Sequence, residues 1–165
     1  MESLVPENLT ASFPWLTALV VVAALGAVAL WCLPRGARGR VREIALGVSL
    51  VNVGLLVGAF TQFDTSKAGV HQLYEQYAWI PQIGTSYAVG VDGLGLALVA
   101  LGVGLVPIVI LAAWREQGDD VERLRHYLAL VLLTAAFMTL IVAARDVVLS
   151  YVVFAAMPIP LYFMI

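Results

Sequence analysis

Apolar runs of membrane-crossing length alternate with short polar stretches along this chain. The longest, Val91–Trp114, has 24 residues. At about 1.5 Å per residue it makes roughly 36 Å of helix, enough to cross a ~30 Å hydrocarbon core with some tilt. Asp92 is its only charge and stands at its entry, which predicts a water-facing helix start. Pro14–Leu33 reads as a first span, with Trp15 and Trp31 near its ends, where amphipathic rings favour the headgroup level. Ile44–Phe60 reads as a shorter second span, lengthened through Val41 and Arg42 if the arginine snorkels. Tyr127–Ala144 and Val147–Ile165 follow as fourth and fifth. Arg145 and Asp146 form a two-residue turn between them, which makes those two spans antiparallel neighbours. The pattern predicts an all-α, polytopic transmembrane bundle of about five spans. It divides as 1–60 (two helices and a basic loop), 61–90 (a long loop), 91–126 (the third helix and a loop) and 127–165 (the last two spans).

Charge orients this bundle. Arg35, Arg38, Arg40 and Arg42 crowd the first connection, and Arg115, Arg123 and Arg125 the third. Lysine and arginine concentrate on the cytoplasmic side, so both connections are expected inside, the amino terminus and the 61–90 loop outside, and the carboxyl end inside. The arginines read as topological signals rather than catalytic groups. Residues 1–13 hold Glu2 and Glu7 and no basic n-region, so the first span is expected to be retained rather than cleaved. Tyr74, Tyr77, Trp79 and Tyr87 are expected as interfacial anchors, and His71 as a surface residue. The chain stops in LYFMI with no polar flank, which suggests a fragment.

Composition agrees and narrows the chemistry. The chain is 62% hydrophobic and 12% charged, with mean hydropathy +0.95. A soluble domain is nearer 45–50% apolar and about 25% charged. The net charge of −2, with no basic stripe, excludes a nucleic-acid partner. Cys32 is the single cysteine, so an internal disulfide and a thiolate metal cluster are excluded; it reads as a small apolar residue. No set of His and Cys could hold zinc, haem or iron–sulfur, and the glycines of GVDGLG follow no strand, so they form no phosphate loop. The centres of all five spans lack ionisable residues, so neither a catalytic set nor a complete proton wire can be assembled from the residues.

What remains is packing and backbone geometry. Gly54 and Gly58 form a GxxxG pair, with Gly47 two turns earlier, and predict close approach of another helix. Asn52 is a lone amide expected to hydrogen-bond a neighbouring helix. Pro107 predicts a kink, since it removes one backbone hydrogen bond and crowds the carbonyl of Val103. Pro158 and Pro160 free carbonyls near Phe154 and Ala156. That reads either as a simple kink or as a broken segment beside a hydrated cavity, the pattern of ion sites in transporters.

Two stretches carry a family resemblance. Trp79–Gly93, W-I-P-x-x-G-x-x-Y-x-x-G-V-D-G with Gly90, Asp92 and Gly93, resembles the antiporter-like M subunit (chain 4) of bacterial NADH:quinone oxidoreductase, respiratory complex I. So does Ala144-Arg145-Asp146, followed by Tyr151, Phe154, Met157, Ile159, Pro160, Tyr162 and Phe163. The resemblance covers roughly residues 79–165 and is to the amino-terminal part of that family. It implies a membrane-arm subunit without cofactor in the bacterial plasma membrane, contributing to proton translocation coupled to NADH oxidation and quinone reduction. FMN and iron–sulfur clusters are then expected in partner subunits, and the other membrane-arm subunits and the bilayer are the expected partners. The family's proton path uses a glutamate in the fifth span and lysines further on. Ala155 stands in the glutamate's place here, nine residues into the span and so about 13 Å deep. Pro158 stands where the family tends to have Leu. These departures keep two other readings open, an Mrp-type cation/proton antiporter subunit and a structural membrane module that no longer pumps.

Overall fold

A computed structural model describes residues 13–67, 69, 72–116 and 120–165. Its elements in chain order are α1 (Trp15–Trp31), α2 (Val41–Gln62), β1 (Gln72–Ile80), β2 (Thr85–Val91), α3 (Gly93–Glu116), α4 (Val121–Ala143), α5 (Val147–Ala156) and α6 (Pro158–Met164). Val41–Gln62, Gly93–Arg115, Val121–Ala143 and the joined path Val147–Met164 are long and apolar enough to cross a membrane; α1 is an apolar helix of 17 residues. The helical bundle is as expected, and its start points follow local chemistry. Asp92 accepts from the Gly95 N–H at 2.7 Å and so caps α3. Asp146 accepts from Val148 N at 2.8 Å and Leu149 N at 3.3 Å, starting α5.

α4 begins at Val121, six residues before the apolar run does. Asp120 caps it through the Arg123 N–H, and Glu122 lies in its first turn, where the helix dipole favours negative charge. Hydropathy alone misses such a polar first turn. Pro107 lies inside α3 without ending it.

The larger departure is in the 61–90 connection, expected to be a loop. It folds as an antiparallel hairpin of β1 and β2, with Tyr77 opposite Tyr87 and the two rings 6.2 Å apart. Pro81–Ile83 form a short 3-10 turn, and Gly84, at φ 70°, closes it in a left-handed conformation that suits glycine. The pairing slips twice, at Gln72/Glu75 and at Ala78/Ile80, where β1 holds one extra residue each time. Leu73 sits in the first slip at φ 53°, uncommon for a bulky side chain, and is buried. His71 and residues 1–12 lie outside the described residues, as does the Trp79 side chain.

α4 lies at the centre of the bundle, with α1 against it. One apolar cluster joins Leu16, Leu19, Leu56, Val99 and Val153 at the hairpin end; a second joins Ala27, Leu30, Ile110, Leu128 and Leu132 at the other. The arginine-bearing ends of α2, α3 and α4 meet the carboxyl end of α1 at that second end. Arg42 lies 5.8 Å above the Trp114 ring, and Arg125 reaches the last carbonyls of α1. Outward faces of α2, α3, α5 and α6 carry exposed Leu, Val, Ile and Phe, as a lipid-embedded surface does.

Candidate functional site

The residues of the two quoted stretches meet on β2. Residues 144–146 run beside it like a short third strand. Ala144 bridges Val89, the Arg145 N–H donates to the Ala88 carbonyl at 2.8 Å, and Asp146 Oδ2 accepts from the Ser86 N–H at 3.3 Å. The Ser86 bond comes first among the causes that hold the Asp146 carboxyl below its ordinary value; the capping bonds from Leu149 and Val148 act the same way. Asp146 thus closes α5 and ties it to the hairpin. Gly90, on the same strand, lets the Tyr74 ring lie close: a Cβ there would sit 3.2 Å from Tyr74 Cδ2. Val91 leads directly into Asp92 and Gly93 and so into α3, so the glycines of residues 90–95 do follow a strand, contrary to expectation; that strand belongs to a two-stranded antiparallel hairpin and not to a βαβ unit. The motif residues Gly90, Asp92, Gly93, Arg145 and Asp146 therefore form one joint, in which a hairpin fastens the starts of α3 and α5 and the end of α4.

Beside that joint lies a group that the pattern did not single out. Glu75 projects from β1 onto the first turn of α1. Its Oε1 accepts from the Leu16 N–H at 2.9 Å, and its Oε2 from the Thr17 N–H at 3.3 Å and from the Thr17 hydroxyl. The Tyr87 hydroxyl lies 3.2 Å from Thr17 Oγ1. Glu75 is only 6% exposed. Burial pushes its carboxyl above the ordinary value, against the hydrogen bonds from the Thr17 side chain and the two amides, which pull it down. Burial also raises the Tyr87 phenol. The only sequence signal for this cluster is indirect: α1 starts after Pro14 with no capping side chain and no acid in its first turn, so its amides need an acceptor from elsewhere.

The inner half of the last span holds the other singled-out residues. Ala155 is exposed on α5, next to Phe154, which is 69% exposed. Met157 remains right-handed helical at φ −58° and ψ −38°, and its N–H still reaches the Val153 carbonyl at 2.9 Å. Pro158 and Pro160 therefore interrupt the hydrogen-bond ladder without unwinding the chain. Pro160 is buried and borders a cleft of about 580 Å³ with Trp31, His126, Leu130, Ile159 and Phe163. That wall is apolar apart from His126. Asn52 is buried, but its Oδ1 finds no partner among the described residues, so the expected interhelical bond through that oxygen is not formed. The GxxxG pair is used at one position only: a Cβ on Gly58 would fall 2.4 Å from the Trp15 ring, whereas Gly54 and Gly47 have open space. No group of three or more His, Cys, Asp or Glu able to hold a metal occurs among the described residues.

A subunit M of NADH-quinone oxidoreductase from Mycobacterium tuberculosis (strain CDC 1551 / Oshkosh) is 33% identical to the chain over 178 residues, covering 92% of the chain and 32% of that protein. Over more than nine-tenths of its length the chain is homologous to NADH-quinone oxidoreductase subunit M, or chain 4. A chain 4 of NAD(P)H-quinone oxidoreductase from Microcystis aeruginosa (strain NIES-843 / IAM M-2473) is 37% identical over 158 residues, with 95% of the chain and 28% of the relative covered. One from Trichodesmium erythraeum (strain IMS101) is 35% identical, with 93% and 27% covered. No protein-family model matches the chain. The chain spans about a third of the length of the curated relatives it matches. With its apolar helices, this homology to subunit M marks a multi-pass membrane protein.

Proposed function

We propose that the chain is part of a membrane-arm subunit M of a proton-translocating NADH:quinone oxidoreductase in the bacterial plasma membrane. Homology to subunit M along more than nine-tenths of the chain carries this reading, and the convergence of both motif stretches on β2 supports it. In this reading the hairpin faces outward and the arginine-bearing end faces the cytoplasm. The chain itself holds no cofactor: its one cysteine and two histidines supply no cluster or haem ligand set. NADH oxidation takes place on FMN and iron–sulfur clusters of partner subunits, and the other membrane-arm subunits are its neighbours. The test is affinity isolation of the tagged native protein from its own membranes. Recovery of NADH:quinone reductase activity and of flavin-containing partners is expected; isolation of the protein without either, together with sodium-sensitive growth on deletion, would favour an Mrp-type antiporter instead.

Ala155 favours a second reading, a membrane module that holds the arm together without moving protons at this span. Alanine can neither bind a proton nor pair with a lysine. Placing glutamate there (A155E) in the assembled complex separates the two readings. Increased proton movement per NADH sinks the structural reading, and unchanged movement supports it.

A further inference from the structure

We propose that the seam between α2 and α3 at the arginine-bearing end binds one anionic phospholipid, its phosphate held by Arg42 and Arg115 and its acyl chains laid along the two helices. This goes beyond the function proposed above and rests only on the chain's residence in a membrane.

Three side chains build the head of this site. A cleft of about 460 Å³ opens at the seam, lined by Leu46 of α2 and by Leu111, Trp114 and Arg115 of α3. Arg42, one turn before Leu46, lies 5.8 Å above the Trp114 ring, so the ring holds its guanidinium at the mouth of that cleft. Arg115 is exposed and follows Trp114 directly in the chain. Two guanidiniums are thus brought to one mouth from two helices. Each presents its donors in a planar fork that matches the oxygens of a phosphate. Trp114 is half-buried between them, as amphipathic rings are at the headgroup level.

Below the arginines the seam is apolar and smooth. Arg42, Leu46 and Leu50 follow one another on α2 at four-residue spacing. Arg115, Leu111, Ile108 and Gly104 do so on α3 at spacings of three and four, so each set shares one helix face. Leu50, Ile108 and Leu111 are exposed, and a Cβ added at Gly104 would meet nothing within 4 Å. From Arg115 to Gly104 is about 16 Å of helix, close to one leaflet's half of a ~30 Å hydrocarbon core. A cation pair above an uncharged track of that depth fits a phosphate with acyl chains below it.

Charge selects the class of lipid. The two connections of this end, residues 34–43 and 115–126, hold seven arginines against five acids, whereas the rest of the chain holds two basic residues against six acids. The positive excess therefore lies in the leaflet where the cleft opens, and it attracts an anionic headgroup over a zwitterionic one. Glu43 is exposed one residue beyond Arg42, about 100° further round α2, and it is Arg42 that lies against Trp114.

The test is photolabelling of the protein in the assembly isolated from its own membranes, reconstituted in nanodiscs. The probe is phosphatidylglycerol carrying a diazirine in one acyl chain, and labelled peptides are mapped by mass spectrometry. Label is expected on residues 44–51 and 104–112, competed by unlabelled phosphatidylglycerol and not by phosphatidylcholine. R115Q should lower it about fivefold, the effect of one arginine near an anionic headgroup, and R42Q combined with R115Q should lower it further. R123Q, at an exposed arginine of the same end that pairs with Asp120, should leave it unchanged. Equal competition by phosphatidylcholine would make the seam an ordinary lipid contact and overturn the proposal. So would the absence of label from both stretches, as a covering polypeptide would give, or an R115Q label equal to wild type. Arg115 is exposed and replaceable without disturbing the fold, so R115Q decides even if R42Q fails to fold.

Discussion

At Gly58 the Trp15 ring occupies the space where a side chain would begin, 2.4 Å from an added Cβ, while Gly54 one turn earlier faces open space. The spacing of the two glycines says only that a helix could approach. Which glycine is used depends on where the tryptophan of α1 falls. G58A should lower the thermal stability of the purified protein, by roughly 1–3 kcal/mol for overpacking against a ring within the fold. G54A should stay within about 0.5 kcal/mol of wild type, as a change that meets no neighbour. Thermal unfolding in one detergent checks both, and equal effects would contradict the assigned contact. Asp92 was legible as a helix start because Asp ahead of an apolar run is a cap by local geometry, and Asp146 only as part of a turn. Glu75 was not legible. Its role depends on a register slip and on a helix almost 60 residues away, and neither leaves a mark in the pattern around it.

At the scale of elements, hydropathy located the long apolar helices, and its limits show where chemistry rather than apolarity ends a segment. α4 starts six residues early because Asp120 and Glu122 favour a helix start that hydropathy scores as loop. The hairpin went unseen because its alternation is masked by two bulges and by polar residues on both faces, Gln72 and Glu75 buried and Gln76 exposed. A two-stranded ribbon has little stability of its own, so this one depends on the helix ends and on residues 144–146 that fasten it. The paired prolines of the last span raised two possibilities that the sequence could not separate. In the structure the backbone at Met157 stays right-handed helical and the cleft beside Pro160 is largely apolar. P158A returns an N–H that the Phe154 carbonyl lacks. The distance between spin labels at positions 147 and 164 should then lengthen toward about 26 Å, the span of a straight helix over that interval. An unchanged distance would place the cause of the bend elsewhere.

Across the whole molecule, α1 is held at both ends by charges it does not carry. Glu75 comes from the hairpin to its amino end. Arg125 comes from α4 to its carboxyl end, donating to the Trp31 carbonyl at 2.6 Å while its other nitrogens bind Glu122 at 2.8 and 3.0 Å. Both charges complement the helix dipole. R125Q should cost about 1–2 kcal/mol, the range for a partly buried cation at a helix terminus. Because α1 separates the two contacts by about 22 Å, the R125Q and E75Q effects on stability should add, to within about 0.5 kcal/mol. A larger coupling, measured by a double-mutant cycle, would mean that α1 shifts as a rigid rod when either end is released.

Membrane residence, the all-helical bundle with the approximate bounds of its apolar helices, and the tight connection between the fourth and fifth apolar runs were legible in the sequence alone. Each follows from local quantities: the length of an apolar run, a cap residue, a two-residue connection. The kinship with subunit M was also readable, since it rests on residue strings. The tertiary structure alone decided that both strings close on one strand, that Gly58 and not Gly54 is the contact, and that Glu75 and Arg125 complete a helix whose own ends carry no charge. These are relations between residues far apart in the chain. They depend on register and on the facing of helices, which a one-dimensional pattern does not encode.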